Sequence, residues 1–241
     1  MTKPTAQSGT PHIQIAIDGP AASGKSTVAR LVAKALGGYY VNTGDMYRAV
    51  TWLALQNGID CEREPDALVK LLDSGAVDIE YRRDQEGNPV LTVNGSPAAS
   101  AAIRSPEVAR SVSFTARIPG VRDWLRERQR ATRRFGIIVM EGRDIGTVIL
   151  PDATHKFFLT ASPEVRARRR LAQAGETAPG ATVDSVAAEI AERDRIDSMR
   201  PVAPLRVAAD AVVINTDTLT AEDVAACITD AVRSGGMSCE Q

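Results

Sequence analysis

Residues 19–27 read GPAASGKST, a glycine-framed loop that ends in a lysine and two hydroxyls. Gly19, Gly24, Lys25 and Ser26 satisfy G-x-x-x-x-G-K-[ST], and each residue type has a physical reason for its place. The backbone N–H groups of residues 22–26 can turn inward on one anion. The helix that follows adds positive potential at its N-terminus, and Lys25 brings a mobile charge to the outer phosphates. Gly19, Pro20, Ala21, Ala22, Ser23, Gly24, Lys25, Ser26 and Thr27 are therefore candidate contacts to a nucleoside triphosphate, with the Ser26 hydroxyl facing magnesium. GTPases, ATPases and small-molecule kinases all use such a loop, so it specifies the phosphate donor and leaves the acceptor open.

The acceptor side is carried by three other pieces, "NTGDMYR" (42–48), "EGRDIGT" (141–147) and "ERDRIDSMRPVAPL" (192–205). The first two follow apolar runs that read as strands, and ligands of open parallel sheets bind beyond the carboxyl ends of the strands. Thr43, Tyr47, Arg48, Arg143 and Asp144 are thus expected to line one crevice with the loop. Arg193, Asp197 and Arg200 recur at i, i+4 and i+7, which places them on one helix face. Guanidinium, carboxylate, guanidinium suits an anionic ligand that also carries hydroxyls. A solvated, salt-bridged face has the same spacing; the helix stop at Pro201, directly after Arg200, and the partners elsewhere favour the ligand. Arg166, Arg169 and Arg170 stand at i, i+3 and i+4 ahead of a Gly/Pro-containing segment at 175–180. That pattern reads as a short lid whose arginines swing over the triphosphate, although any one of them also suits a solvated face.

The elements that must position these residues alternate along the chain. "IQIAI" (13–17), "YYV" (39–41), "GIIVM" (136–140), "HKFFLT" (155–160) and "AVVIN" (211–215) are short apolar runs, each followed by a helical stretch. After the loop, Val28, Leu31, Val32 and Leu36 keep helical spacing until Gly37-Gly38. Asn42 or Thr43 caps the next helix, Ser105-Pro106-Glu107 opens another, and Thr220 with Asp223 opens the last. The expectation is an α/β fold with a five-stranded parallel sheet covered by helices on both faces. Residues 76–97 break the rhythm: they alternate apolar and polar and contain Gly87-Asn88-Pro89 and Asn94-Gly95, so a small antiparallel insert is expected to stand off the sheet.

Composition bounds the function. At 241 residues, 44% hydrophobic and 24% charged, the chain has ordinary globular values and suits one domain with an excursion. A net charge of −1 argues against general nucleic-acid binding. The most basic run, "RDWLRERQRATRR" (122–134), opens the alternative of an ATP-regulated RNA-binding protein. Aromatic residues make up only 4% of the chain and are not interleaved with those arginines, so bases would find few stacking platforms. The blander reading turns Trp124 and Leu125 inward and sends Arg122 to the ligand. Cys61, Cys227 and Cys239 are widely spaced, which indicates neither a disulfide framework nor a zinc site and fits a reducing compartment. Neither His12 nor His155 is given a catalytic role. Uncharged apolar runs fall short of the ~18 residues of a membrane helix, and residues 1–11 read as a flexible polar tail.

With these residues assembled, the chain resembles the bacterial cytidylate kinases, in the nucleoside monophosphate kinase group of P-loop kinases. The likeness runs from Ile13 nearly to the C-terminus, and "EGRDIGTVILPDA" and "ERDRIDSMRPVAPL" are its most specific pieces. The resemblance implies a P-loop NTPase-type kinase domain over 12–241, with a monophosphate-binding insert at about 44–118 and a short lid at about 169–182. It implies that Arg48, Arg143 and Arg193 grip the acceptor phosphate and, with Lys25, form the catalytic set. Thr43, where the family often has serine, and Asp197 match ribose contacts; Ser113, Arg122, Asp144 and Arg200 match the positions that read cytosine. Arg169 and Arg170 would reach ATP, and Glu141 stands where many relatives have aspartate before "GRD". The substrates implied are ATP and CMP or dCMP, with Mg2+ accompanying ATP, in a cytoplasmic monomer that binds no stable nucleic acid and no membrane. A UMP/CMP or shikimate-type kinase is the nearest rival; a GTPase is disfavoured because N-K-x-D does not occur.

Overall fold

Strand β1 (Gln14–Asp18) turns Ile15 and Ile17 to one apolar cluster and Ala16 to another, which is how a strand buried on both faces distributes its side chains. The computed structural model describes residues 12–173, 177 and 180–236. The polar tail expected at 1–11 and part of the expected lid, 174–176 and 178–179, lie outside the described residues.

After β1 come α1 (Lys25–Leu36), β2 (Tyr39–Asn42), α2 (Thr43–Gln56) and α3 (Pro65–Asp73). A hairpin region follows with β3 (Ile79–Arg83), β4 (Pro89–Val93) and β5 (Ser96–Pro97), then α4 (Ser100–Ile103), α5 (Pro106–Thr115) and α6 (Pro119–Ala131). The chain returns to the sheet with β6 (Ile138–Gly142) and β7 (His155–Thr160), continues through α7 (Pro163–Leu171) and α8 (Val183–Met199), and closes with β8 (Val212–Asn215) and α9 (Ala221–Ser234).

The main sheet has the order β2-β6-β1-β7-β8, with every pairing parallel. Helices α1 and α9 cover the face of Ile15, Ile17, Val139, Phe157 and Ile214. The other face, with Ala16, Ile138 and Met140, meets α2, α6 and the hairpin. The caps are those expected: Asn42 Oδ1 accepts from the Asp45 N–H, Ser105 caps α5, and Thr220 forms a reciprocal box with Asp223.

The three-stranded antiparallel sheet, β3-β4-β5, does not stand off. Ile79, Tyr81, Leu91 and Val93 are buried in the same cluster as Val41, Met46 and Leu125. The Tyr81 hydroxyl accepts from the Asn42 N–H and donates to the Asn42 carbonyl, both at 3.1 Å. Alternation reported the two faces of the hairpin correctly. What covers its apolar face is a long-range contact that alternation does not encode.

In the basic run, α6 turns Val121, Arg122, Leu125 and Gln129 inward. Trp124 is partly buried, donates to the Leu72 carbonyl at 3.1 Å and is stacked by Arg128. Arg130 donates to the carbonyls of Ile149 and Val148, while Arg133 and Arg134 pair with Asp152 and Glu80. Among the described residues, no helix is long and apolar enough to cross a membrane. Cys61 is a free, buried thiol.

Candidate active site

The strand order brings the ends of β1, β2 and β6 side by side, and the loop 19–24 leaves β1 directly into α1. Gly24 caps α1 with φ +92, a left-handed value that glycine adopts without steric cost. Ala22 takes φ +57 although it carries a side chain. Lys25 folds back: its Nζ donates to the Pro20 carbonyl at 2.6 Å and to Ser23 Oγ at 3.3 Å. Burial, aided by the Arg143 charge, pushes the Lys25 ammonium down to about 7, with Glu141 and Asp18 opposing.

Beyond β6, Asp18 at the end of β1 accepts from the N–H groups of Ile145 and Gly146 at 2.8 and 2.7 Å, which ties "GRDIG" to the donor loop. Burial pushes the Asp18 carboxyl up to about 6, against those two hydrogen bonds. A Cβ on Gly142 would stand 2.7 Å from both Ile145 Cδ1 and Thr43 Oγ1, so only glycine lets β6 and α2 approach this closely. The Thr43 hydroxyl donates to the Glu141 carbonyl at 2.8 Å. Glu141 Oε1 itself accepts from the Ser26 hydroxyl and, at 2.7 Å, from Tyr40.

These elements enclose a cavity of about 420 Å³. Nine of its lining side chains are arginine or lysine and four are aspartate or glutamate. Ala21, Ala22, Ser23, Gly24, Lys25, Ser26 and Thr27 line it on the donor side. Thr43, Tyr47 and Arg48 from α2, Ser113 from α5, Arg122 from α6, and Arg143 and Asp144 line it opposite. Arg170, Arg193, Asp197 and Arg200 complete the wall from α7 and α8.

Three of the expected contacts do not line the cavity. Gly19 packs so close to Leu159 that a Cβ would come within 2.1 Å of its carbonyl oxygen, and Pro20 meets Lys25 through its carbonyl. Arg169 donates to Thr216 Oγ1 at 2.8 Å and to the Thr216 carbonyl, and is not part of the lining. Arg166, read from the sequence as a lid arginine, is buried against Asp194 and the Ala161 carbonyl.

The charges are organised in two groups. Asp144 is held between Arg122 at 2.5 Å and Arg200 at 3.1 Å, with all three side chains buried. Asp197 pairs with Arg143 at 3.0 Å; burial works to raise its carboxyl, but Arg143, Arg193 and Arg200 outweigh it and hold the carboxyl below the usual carboxylate range. Burial lowers Arg193 to about 10, and the charges of Arg143, Arg48 and Arg170 add to that effect. The Nε atoms of Arg193 and Arg170 are buried with no hydrogen-bond partner, so both retain a donor for a ligand oxygen.

Sequence reasoning passed over four charged cavity or wall residues. Asp45 and Arg104 both line the cavity and pair at 2.5 Å; the signal was Asp45 inside "NTGDMYR" and Arg104 just before the Ser105 cap. Arg30 lies one turn beyond Ser26 and stacks on the Tyr40 ring at 4.8 Å from its centroid. Asp194 reaches the donor loop, and nothing but its place beside Arg193 hinted at that.

The family model described as cytidylate kinase matches residues 15–234. A curated cytidylate kinase of Pelotomaculum thermopropionicum is 48% identical over 223 residues, covering 92% of this chain and 96% of that one. One from Geobacillus thermodenitrificans is 50% identical over 221 residues, again 92% and 96%. Among solved structures, a shikimate kinase from Bacteroides thetaiotaomicron aligns over 92% of this chain and 98% of its own, at 14% identity and a TM-score of 0.48.

Proposed function

The chain belongs to the cytidylate kinase family, and from that premise we infer that it transfers the γ-phosphoryl group of ATP to CMP or dCMP, giving ADP and CDP or dCDP. The observation that carries the assignment of residues is the convergence of Arg48, Arg143 and Arg193 on one cavity with Lys25, two of the cavity's buried guanidinium donors being unmade.

Phosphoryl transfer asks for little covalent chemistry, because the nucleophile is already an anionic phosphate oxygen. The protein's task is to align donor and acceptor and to offset the charge spread over the equatorial oxygens. Lys25 and the amides of the donor loop hold the β- and γ-phosphates. For Lys25 this means leaving the Pro20 carbonyl for a phosphate oxygen, and the bound polyanion restores its full charge. Arg48, Arg143 and Arg193 hold the acceptor phosphate, and Arg170 completes the positive wall toward the transferred group. Thr43 and Asp197 orient the ribose.

The residues fit a hard divalent cation: the Ser26 hydroxyl and the Glu141 carboxylate lie together, and both are oxygen donors. Mg2+ brought with ATP would be held by Ser26, with Glu141 beside it, and would supply neutralising charge to the donor phosphates.

Cytosine presents an exocyclic amine donor beside a ring-nitrogen acceptor. Asp144 suits the donor, and Arg122, Arg200 and Ser113 surround it with groups for the acceptor edge. Uracil places an oxygen where the amine stands, so the Asp144 carboxylate repels it and loses a partner. An unpaired buried acceptor costs ~1–3 kcal/mol, which is about tenfold to a hundredfold in kcat/KM. We place this activity in pyrimidine nucleotide metabolism in the cytoplasm and assign it to a monomer. An ADP-release assay across CMP, dCMP, UMP, AMP, GMP and shikimate tests the reading. CMP and dCMP should be turned over fastest; equal turnover of UMP would remove the assigned role of Asp144.

A further inference from the structure

Ala21, inside the donor loop, is held at both of its polar backbone groups from outside the loop. Its N–H donates to Oδ1 of Asp194 on α8 at 3.3 Å, and its carbonyl accepts from Nη1 of Arg166 on α7 at 3.2 Å. Arg166 also pairs with Oδ2 of Asp194 and donates to the Ala161 carbonyl at 3.0 Å. The pair is largely shielded, with Arg166 7% and Asp194 18% exposed. A parallel strut runs from Arg169 to Thr216, whose Oγ1 lies 3.4 Å from the Ser23 carbonyl.

What this scaffold holds is a strained segment. Ala22, between the two anchored residues, sits at φ +57. A residue with a side chain keeps such a conformation only where its surroundings over-determine it. The strain points the loop amides inward, which is what a polyphosphate requires. Helix α8 reaches the loop because its buried positions Val186 and Ile190 continue, four residues on, to Asp194. Arg193 and Asp197, on the adjoining face, turn to the cavity.

We propose that Asp194, paired with Arg166, is a positioning residue for the donor loop: it fixes Ala21 and thereby the phosphate-accepting shape of the loop, from the helix that also carries the acceptor-phosphate residue Arg193. This rests on the reading that the loop binds ATP. It gives the first arginine of α7 a task under the loop, in place of one above the nucleotide. Removing the carboxylate leaves the Ala21 N–H without its partner and the buried Arg166 guanidinium without its counter-charge.

The test compares Asp194→Ala, which loses both interactions, with Asp194→Asn, which keeps an oxygen for Ala21 but loses the ion pair, and with Arg166→Lys. The readouts are the Kd of a non-hydrolysable ATP analogue, the two KM values and Tm. The expected result is an analogue Kd and an ATP KM about tenfold higher in Asp194→Ala and less so in Asp194→Asn, with the CMP KM changed by no more than about twofold. An unchanged analogue Kd, or ATP and CMP KM values that rise together in proportion to a fall in Tm, overturns the proposal. Where Asp194→Ala fails to fold, Asp194→Asn and Arg166→Lys decide: weaker analogue binding with an unmoved CMP KM supports it, and wild-type binding in both overturns it. If the wild-type protein turns over no CMP, the acceptor assignment fails, while the ratios of analogue Kd still judge the positioning role.

Discussion

Lys25 carries the clearest pH signature of any single residue. Its ammonium is held near 7 by burial and the Arg143 charge, against an ordinary value of 10.5. Between those two values the unfolded chain binds the proton that the folded chain has released, so this residue's contribution to stability grows as pH rises through the window. The Tm gap between wild type and Lys25→Met, measured without nucleotide, should therefore shift in favour of wild type from neutral to alkaline pH. Activity moves the other way. The free enzyme loses the charge that attracts ATP, so kcat/KM for ATP should fall as pH climbs through about 7. The fall in kcat should lie at higher pH, because bound triphosphate favours the ammonium; coincident profiles would disconnect Lys25 from the donor phosphates. Arg193 has a different signature. Half-buried, with a buried, unmade Nε and close to the charges of Arg143 and Arg48, it is proposed to serve the charge that develops during transfer. Arg193→Ala should lower kcat by about a hundredfold or more while the ATP KM changes far less, and an unchanged kcat would take it out of the reaction centre. Contiguous chemistry was the readable part at this scale. GKS is one stretch of sequence, whereas the contact of Asp194 with Ala21 spans 173 positions and needs the fold to be seen.

Among the elements, the hairpin has a larger part than its alternating pattern implied. Tyr81 on β3 binds both backbone groups of Asn42, the residue that caps α2 and starts the run Thr43, Asp45, Tyr47, Arg48. The small sheet therefore fixes the corner from which the proposed acceptor wall begins. Tyr81→Phe keeps the ring in the core and removes only the hydroxyl, leaving a buried N–H and carbonyl less well satisfied. A loss of about 1–3 kcal/mol by denaturant titration is expected, together with a higher CMP KM and an unmoved ATP KM. Equal effects on both nucleotides would mean that the contact supports the whole domain and not the acceptor corner. The parallel strands were legible because each is a short apolar run ending at a turn. Helix α3 was not singled out, although Pro65 at its start and Leu68 and Leu72 at helical spacing mark it. Helix α8 shows how two faces can share one sequence. Its charged face is legible from i, i+4, i+7 spacing, while the face through Val183, Val186 and Ile190 ends in the carboxylate of Asp194 and carries no comparable signal.

For the whole molecule, a net charge of −1 hides a sharp separation: cationic side chains outnumber anionic ones nine to four around the cavity. The basic run at 122–134 looked like a nucleic-acid surface as a string of letters, but its arginines are engaged with carbonyls, carboxylates and Trp124. Only Arg122 of that run turns into the cavity. Composition cannot distinguish these arrangements, because it counts charges and does not say what they face. On the proposed assignment, two nucleotides lie in this cavity with their phosphates meeting between Lys25 and the guanidinium groups of Arg48, Arg143 and Arg193. The most direct measurement is the affinity of one molecule that joins adenosine and cytidine through five phosphates, set against ATP alone and CMP alone. If both halves are held at once, the linked ligand binds about a hundredfold or more tighter than either nucleotide, and replacing its cytidine by uridine removes most of the gain. A linked ligand that binds no tighter than ATP would contradict the account.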